Sequence, residues 1–422
     1  MPDVSKGSSR SECQKSYDVV VIGAGLAGLE VTRRLAQLGR IVLLVDAKQD
    51  LRQRVHTTGI FVRRSLEDFS FPDELLGPPI RDVSLYSPSG KSFSIQSPHC
   101  EFRVGKMGQL YSRMLEDCQS EGAQVRLGTR FSGIELSPSE CLKAVSSDEG
   151  YDIALQSANI TDRIRTRFLI GADGVDSRVA RALNLSQNKR MIAGVEKVFE
   201  SISNCEAPRM HCLIDPRLAP GYLAWVVDDG EEVHVGVGGN PQRFSPVQAL
   251  EEFESWNRRW MGVPCGRLIE KRGGRIPVGG LLPQIGSPRG LLVGDASGAV
   301  SPLTAGGLDP CLRLSQFAAG VVDDLLDGNL NDITKLYHSR IWKRRFLKRK
   351  MLRTILESIR SRSMIDFGWL LLQTSLGRAF TQRIFFGRGS FPDSPFHRIT
   401  NEDSQKLVTA FPGQLRGMDL GR

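Results

Sequence analysis

One stretch, residues 17–46 (YDVVVIGAGLAGLEVTRRLAQLGRIVLLVD), limits the fold more than any other. Residues 17–22 predict a short buried strand rich in Val and Ile. Residues 23–28 form a G-x-G-x-x-G turn, residues 26–38 predict a helix closed by Gly39, and residues 41–45 predict a second strand ending in Asp46. This order is what a bound pyrophosphate requires. Gly23 permits the tight turn, Gly25 with Ala24 brings bare backbone to the phosphates, and Gly28 lets the helix sit close to the strand. The free N–H groups and positive dipole end of the helix then face the phosphates. Asp46 stands where a carboxylate takes the hydroxyls of an adenosine ribose. A lone glycine motif is weak, but the motif set between two strands and closed by an acid is strong.

The chain has 422 residues, enough for two interleaved domains rather than one small core. A formal net charge of +9 raises the question of an acidic partner or surface. Nucleic acid is not expected, because the basic residues lack interleaved stacking aromatics in a recognisable module. The eight cysteines (13, 100, 118, 141, 205, 212, 265 and 311) form no C-x-x-C pair, so neither a metal site nor a redox dithiol is expected. Reduced thiols point to a cytoplasmic setting. Residues 1–16 are polar and are expected to form a disordered tail without a signal sequence. No apolar run of about 20 residues is present to span a bilayer.

Beyond Asp46, residues 48–71 carry Arg52, Arg54, Arg63 and Arg64 around His56-Thr57-Thr58-Gly59. In a doubly wound fold such a segment returns across the ligand crevice. Residues 83–95 predict a hairpin in a second sheet, residues 106–121 a helix, and residues 125–127, 131–136, 153–155 and 165–170 strands. Residues 170–174 (IGADG) end a strand on Asp173 at the crevice. Residues 195–199, 210–214, 222–227 and 232–238 predict an antiparallel sheet, and residues 246–261 a helix. Tyr222 and Trp225 are either core or pocket lining.

The third informative stretch, residues 290–308 (GLLVGDASGAVSPLTAGGL), runs from a buried strand through Gly294-Asp295 and a glycine-rich loop into a long helix ending near residue 326. Asp295 can accept a hydrogen bond from a ligand hydroxyl. The amides of Gly306, Gly307 and Leu308 lie at a helix N-terminus, where negative charge is stabilised.

These three stretches, in this order, resemble the FAD enzymes of the para-hydroxybenzoate hydroxylase type, most closely the geranylgeranyl reductase branch, over roughly residues 17–330. The resemblance implies an α/β fold: a Rossmann-like FAD-binding domain (residues 17–80, 105–190 and 275–330) interleaved with an antiparallel-sheet substrate domain (81–104 and 191–274), followed by a helical C-terminal cap (331–422). It implies FAD, with the ribose acid at Asp46, the flavin-contacting acid at Asp295 and the isoalloxazine loop at Gly306, Gly307 and Leu308. A reduced flavin carries negative charge that this loop would favour. Lys106, Phe131 and Asp173 are further cofactor-binding candidates. Three positions depart from the family. Lys106 stands where Arg is frequent, Thr58-Gly59 where reductases carry Cys-Gly, and Gly298 where the hydroxylases carry His.

The implied activity is oxidoreduction: NAD(P)H, as a transient co-substrate, reduces FAD, which passes a hydride to a C=C bond of a small hydrophobic, isoprenoid-like molecule. The catalytic candidates are His56, Thr58, Tyr222 and Trp225, with His56 the candidate proton donor. A monooxygenase acting on a hydrophobic or aromatic metabolite and a non-catalytic carrier of prenylated cargo are the competing readings. Residues 333–362 hold eleven basic residues (335, 340, 343, 344, 345, 348, 349, 350, 353, 360 and 362) against Glu357 alone, with apolar residues at a near-helical period. Residues 333–386 are therefore either a cap packed on the FAD domain with solvated charges or a peripheral contact for an anionic membrane. Oligomeric state leaves no mark on the sequence.

Overall fold

The computed structural model describes residues 15–135, 150–158, 160–202 and 208–387, and within these not the side chains of residues 341–345. The expected N-terminal tail therefore lies almost entirely outside the described residues, as do Cys13, Cys141 and Cys205. The other five cysteines are free thiols.

The helices are α1 (Leu26–Gln37), α2 (Arg63–Asp68), α3 (Met107–Ser120), α4 (Arg178–Ala182), α5 (Pro246–Trp256), α6 (Leu308–Leu326), α7 (Arg340–Ser358), α8 (Arg362–Leu372) and α9 (Ser375–Phe385). Among the described residues the first sheet has eight strands. Its parallel centre runs Gly290–Leu292, Ile160–Gly171, Ser16–Ile22, Val42–Val45 and Gln124–Arg126. The central strands are apolar almost throughout because both faces are covered. On one face Val19, Val21 and Leu44 meet α1, α3 and α6 through Leu29, Leu110 and Leu314. On the other, Val20, Leu43 and Val45 meet Phe131, Ile153 and Val179.

Among the described residues the second sheet has seven strands, in the order Leu268–Pro277, Met191–Glu200, Glu232–Gly239, Ala224–Asp228, Arg209–Leu213, Asp82–Tyr86 and Ser92–Gln96. All neighbours are antiparallel except Arg209–Leu213 with Asp82–Tyr86. One face carries Val226, Val235 and Val237 under Leu250 and Phe253 of α5. On the other face Gly194, Glu196, Trp225, Arg272 and Gly274 border a cavity, while Val83, Met210 and Val227 form an apolar cluster with Ile365 and Trp369.

The C-terminal region departs from the expected cap in two ways. The apolar period from residue 333 is not one helix. Ile333 and Tyr337 are buried in the first core, the Tyr337 hydroxyl donates to the Leu292 carbonyl at 2.7 Å, and α7 begins only at Arg340. Nor does the region pack on the nucleotide-binding half alone. Phe346 joins the first core, but Ile365 and Trp369 of α8 pack against Val83, Phe93 and Met210 of the second sheet. Its charges are also not all solvated. Arg353 is buried, paired with Glu357 at 2.8 Å, and stacked over the Tyr222 ring.

Candidate active site

The dinucleotide cradle is built by the first βαβ unit. Gly23 has φ +107, a backbone conformation suited to glycine, and a Cβ there would overlap the Ala172 carbonyl. A Cβ on Gly28 would overlap the Gly23 carbonyl. Gly25 differs: nothing stands within 4 Å of a Cβ built on it, so this glycine guards open space, and it borders the cavity. Asp46 borders the same space. Its Oδ2 accepts from the Ala24 N–H at 2.6 Å and its Oδ1 from the Lys48 N–H at 2.7 Å, which fixes the carboxylate and leaves lone pairs for two ribose hydroxyls. Beside it, burial lowers the pKa of Lys48.

At the other end of the cradle the strand Gly290–Leu292 leads to Asp295, whose carboxyl is pushed up to about 6 by burial. Gly307, the residue before α6, faces it: a Cβ there would lie 3.6 Å from Asp295 Oδ1. Ala305 holds φ +53 in the intervening loop, a strained conformation for a residue with a side chain, and Thr304 is pinned through Ser301 Oγ at 2.9 Å. Gly298 has φ +73, and a Cβ would lie 2.6 Å from the Gly280 carbonyl, so a histidine has no room here. The open space at Gly25, the fixed acid at Asp46 and the buried acid above a helix N-terminus at Asp295 fit FAD. When bound, that group supplies hydride chemistry.

The cavity is about 890 Å³ and continuous. It begins at Ala24, Gly25 and Asp46, passes Asp295 and residues 306–308, and reaches His56, Thr58, Tyr222 and Trp225. It then extends between the second sheet and the C-terminal helices as an apolar gallery. Leu85, Met210, Ile214 and Leu223 form one wall, and Leu352, Ile365, Trp369 and Phe385 the other. Arg349 enters from α7, and its Nη1 donates to Ser301 Oγ at 2.9 Å.

The catalytic candidates occupy one wall in different states. The Tyr222 hydroxyl donates to the Thr304 carbonyl at 2.7 Å, tying the second sheet to the loop before α6, and burial raises its pKa. Thr58 Oγ1 donates to Glu196 Oε2, and Trp225 Nε1 donates to the same oxygen at 2.9 Å. His56 is exposed at the rim, its Nδ1 2.9 Å from the Gly273 carbonyl.

Other candidates lie outside the cavity wall. Phe131 is buried in the core on the far face of the first sheet. Lys106 precedes α3, and its Nζ lies 2.8 Å from Glu231 Oε2 in the second-sheet hairpin. Asp173 turns its Oδ2 onto the Arg178 and Val179 N–H groups at 2.6 and 3.2 Å, while its Oδ1 is buried without a partner among the described residues. Burial raises its pKa against these bonds. Of the basic loop, Arg63 and Arg64 border the cavity, and Arg63 is held by Glu101 at 3.0 Å.

Glu196 and His234 were not singled out from the sequence. Glu196 falls on the inward phase of Met191–Glu200, in step with Ile192, Gly194 and Val198. An acid in the buried phase of an alternating strand is the signal that marks it.

No family model matches the chain. A digeranylgeranylglycerophospholipid reductase from Methanocella arvoryzae is 24% identical over 319 residues, 73% of this chain and 78% of the relative. The protein of that name from Methanocaldococcus jannaschii is 25% identical over 338 residues, 79% and 83% of the two chains. Among solved structures, a geranylgeranyl bacteriochlorophyll reductase-like protein from Thermoplasma acidophilum superposes with a TM-score of 0.72 at 19% identity, covering 96% of this chain and 100% of its own. A flavin-dependent monooxygenase solved with FAD and substrate superposes with a TM-score of 0.64 at 17% identity, covering 89% and 71%.

Proposed function

We propose that this chain, an FAD-dependent oxidoreductase of the para-hydroxybenzoate hydroxylase type on its geranylgeranyl reductase branch, reduces C=C bonds in the long isoprenoid-like chain of a lipid. The observation that carries this reading is the unbroken passage from the dinucleotide cradle into the apolar gallery under α7, α8 and α9. A compact aromatic substrate needs no such extension, whereas an extended hydrocarbon gains about 25 cal/mol for each Å² it buries there. Gly25, Asp46, Asp295 and residues 306–308 would hold FAD. The wall formed by Thr58, Tyr222 and Trp225 would position the double bond and exclude water. NAD(P)H would serve as a transient electron donor.

The substrate would arrive from a membrane surface. Helices α7–α9 expose Leu347, Met351, Ile355, Met364, Phe367, Leu370, Leu371, Leu376 and Phe380, and Phe367 and Leu371 are 73% and 66% exposed. Ile355, Met364, Leu371 and Phe380 also line the cavity, so the exposed apolar surface is continuous with its mouth. A patch of this kind beside a basic run suits an anionic bilayer. No helix among the described residues is long and apolar enough to cross a membrane.

The test is turnover of a geranylgeranyl lipid in anionic vesicles with NAD(P)H under anaerobic conditions. Mass spectrometry should find two added hydrogens per reduced bond. Oxygen-dependent NAD(P)H oxidation that inserts oxygen into the substrate would select the monooxygenase reading instead, and cargo bound without turnover the carrier reading. Sedimentation with the vesicles should pellet the protein at low salt and release it at high salt. Protein that stays in the supernatant at both would refute the membrane contact.

A further inference from the structure

The cavity-facing side of the second sheet carries a charged row across four strands. Trp225 registers with Gly236, Gly236 with Glu196, and Glu196 with Arg272. His234 stands two residues from Gly236 on the same face. Glu196 is 4% exposed and His234 1%. His234 Nδ1 lies 3.4 Å from Glu196 Oε1, and Arg272 Nη1 lies 3.5 Å from the same oxygen. On its far side, His234 Nε2 lies 3.6 Å from both Asp229 Oδ2 and Glu232 Oε2. Glu270 completes the surroundings, bonded to Arg272 at 2.8 Å. Glu196 and Thr58 border the cavity, whereas His234 does not.

We propose that Glu196 and His234 form a buried proton store behind Thr58, and that the Thr58 hydroxyl is the outlet through which the cavity receives its proton. This rests on the C=C reduction proposed above, which consumes one hydride and one proton for each bond. The hydride comes from the NAD(P)H-reduced flavin and carries the electron pair, so only protons move along the store. The Thr58 O–H bond breaks as the proton passes to the alkene carbon opposite the one that takes the hydride. The N–H bond at His234 Nδ1 breaks first, its proton passes to the Glu196 carboxylate, and the carboxyl so formed gives a proton to Thr58 Oγ1. The imidazole is left neutral with its remaining proton on Nε2, between Asp229 and Glu232, and is recharged at Nδ1 by the reverse relay through Thr58 and Glu196 from water that enters the cavity once product has left.

The charge state suits this task. Burial opposes an imidazolium at His234, but the neighbouring carboxylates of Asp229 and Glu196 outweigh burial and push it up to about 9. Burial likewise opposes charge on Glu196, and His234, Thr58 and Arg272 outweigh it, so this carboxyl stays below its usual range. The store is therefore loaded at neutral pH. His56, at the exposed rim, has no such enclosure.

The test uses the full chain loaded with FAD. Imidazole NMR should place the His234 midpoint near 9, and Glu196→Gln should lower it by at least one pH unit. With a geranylgeranyl lipid, Glu196→Gln should lower kcat about tenfold or more, leave KM and the rate of flavin reduction by NAD(P)H unchanged, and remove the alkaline limb of the pH profile. Thr58→Val should lose turnover and Thr58→Ser restore it. A wild-type His234 midpoint in the ordinary histidine range, or a Glu196→Gln enzyme with wild-type kcat and pH profile, overturns the store. A wild type whose midpoint is near 9 but which reduces no isoprenoid double bond overturns the functional reading instead.

Discussion

Trp225 reaches Glu196 across the strand that separates them because residue 236, the position between, is glycine. The indole lies over Gly236 and its Nε1 donates to Glu196 Oε2 at 2.9 Å. Tyr222 lies over Gly238 in the same way. The run VHVGVGG at 233–239 thus serves two purposes: its valines fill the face under α5, and its glycines seat two aromatic rings that wall the cavity.

Gly236→Ala tests this seating. A methyl group there meets the indole ring inside van der Waals contact, so Trp225 must leave Glu196. Overpacking of this kind costs about 1–3 kcal/mol. The urea midpoint should fall accordingly, and Trp225 fluorescence should shift to the red.

The glycines of the first turn should separate into two classes. Gly25→Val places a side chain in open space where the pyrophosphate would lie, so the protein should fold with an unchanged urea midpoint and fail to retain FAD. Gly28→Val drives a side chain into the Gly23 carbonyl and should abolish soluble expression. The yellow colour of the purified protein and its circular dichroism spectrum distinguish the two outcomes.

Asp295→Asn should uncouple stability from cofactor retention. Burial holds the Asp295 pKa near 6, above its ordinary 3.8, so its charged form is disfavoured in the folded chain and the penalty is complete above pH 6. Asparagine removes it, and FAD-free protein at pH 7.5 should gain about 1–3 kcal/mol. FAD affinity should fall, because asparagine offers a weaker acceptor to the ligand hydroxyl.

His234 should give stability an alkaline limit. Its pKa rises from 6.5 to about 9 on folding, so its contribution is complete below pH 6.5 and is lost as pH rises to 9. The loss amounts to about 3 kcal/mol at most. Urea midpoints at pH 6, 8 and 9.5 should fall steadily in the wild type and stay flatter in His234→Phe.

Legibility in the sequence followed how each segment is buried. The strands at 16–22 and 42–45 are covered on both faces, and their apolar runs were readable directly. The strand Leu268–Pro277 was not foreseen, because it edges its sheet and is mostly exposed: LIEKRGGRIP shows no apolar alternation. The strand expected from residue 222 begins only at Ala224, since Gly221 turns at φ +73 and the Tyr222 N–H bonds back to Ala219. Ala24, Gly25, Asp46, Asp295 and residues 306–308, singled out by their motifs, all border the cavity. The Glu196–His234 pair was not legible, because residues 38 apart meet only through strand pairing.

The gallery beyond the cradle opens between exposed Ile355, Met364, Leu371 and Phe380, while Phe386 lies tilted against Phe102 with centroids 6.1 Å apart and Trp369 is fully enclosed. Under the proposed function, the span from that mouth to Thr58 would act as a ruler. A hydrocarbon entering end-on can present only double bonds at one depth. Which bonds along the proposed polyunsaturated substrate are reduced, and which are left, would thus be measured out by residues in α7–α9, far in sequence from every motif that marks the chemistry. Selectivity for chain length can drift there while the cradle stays unchanged.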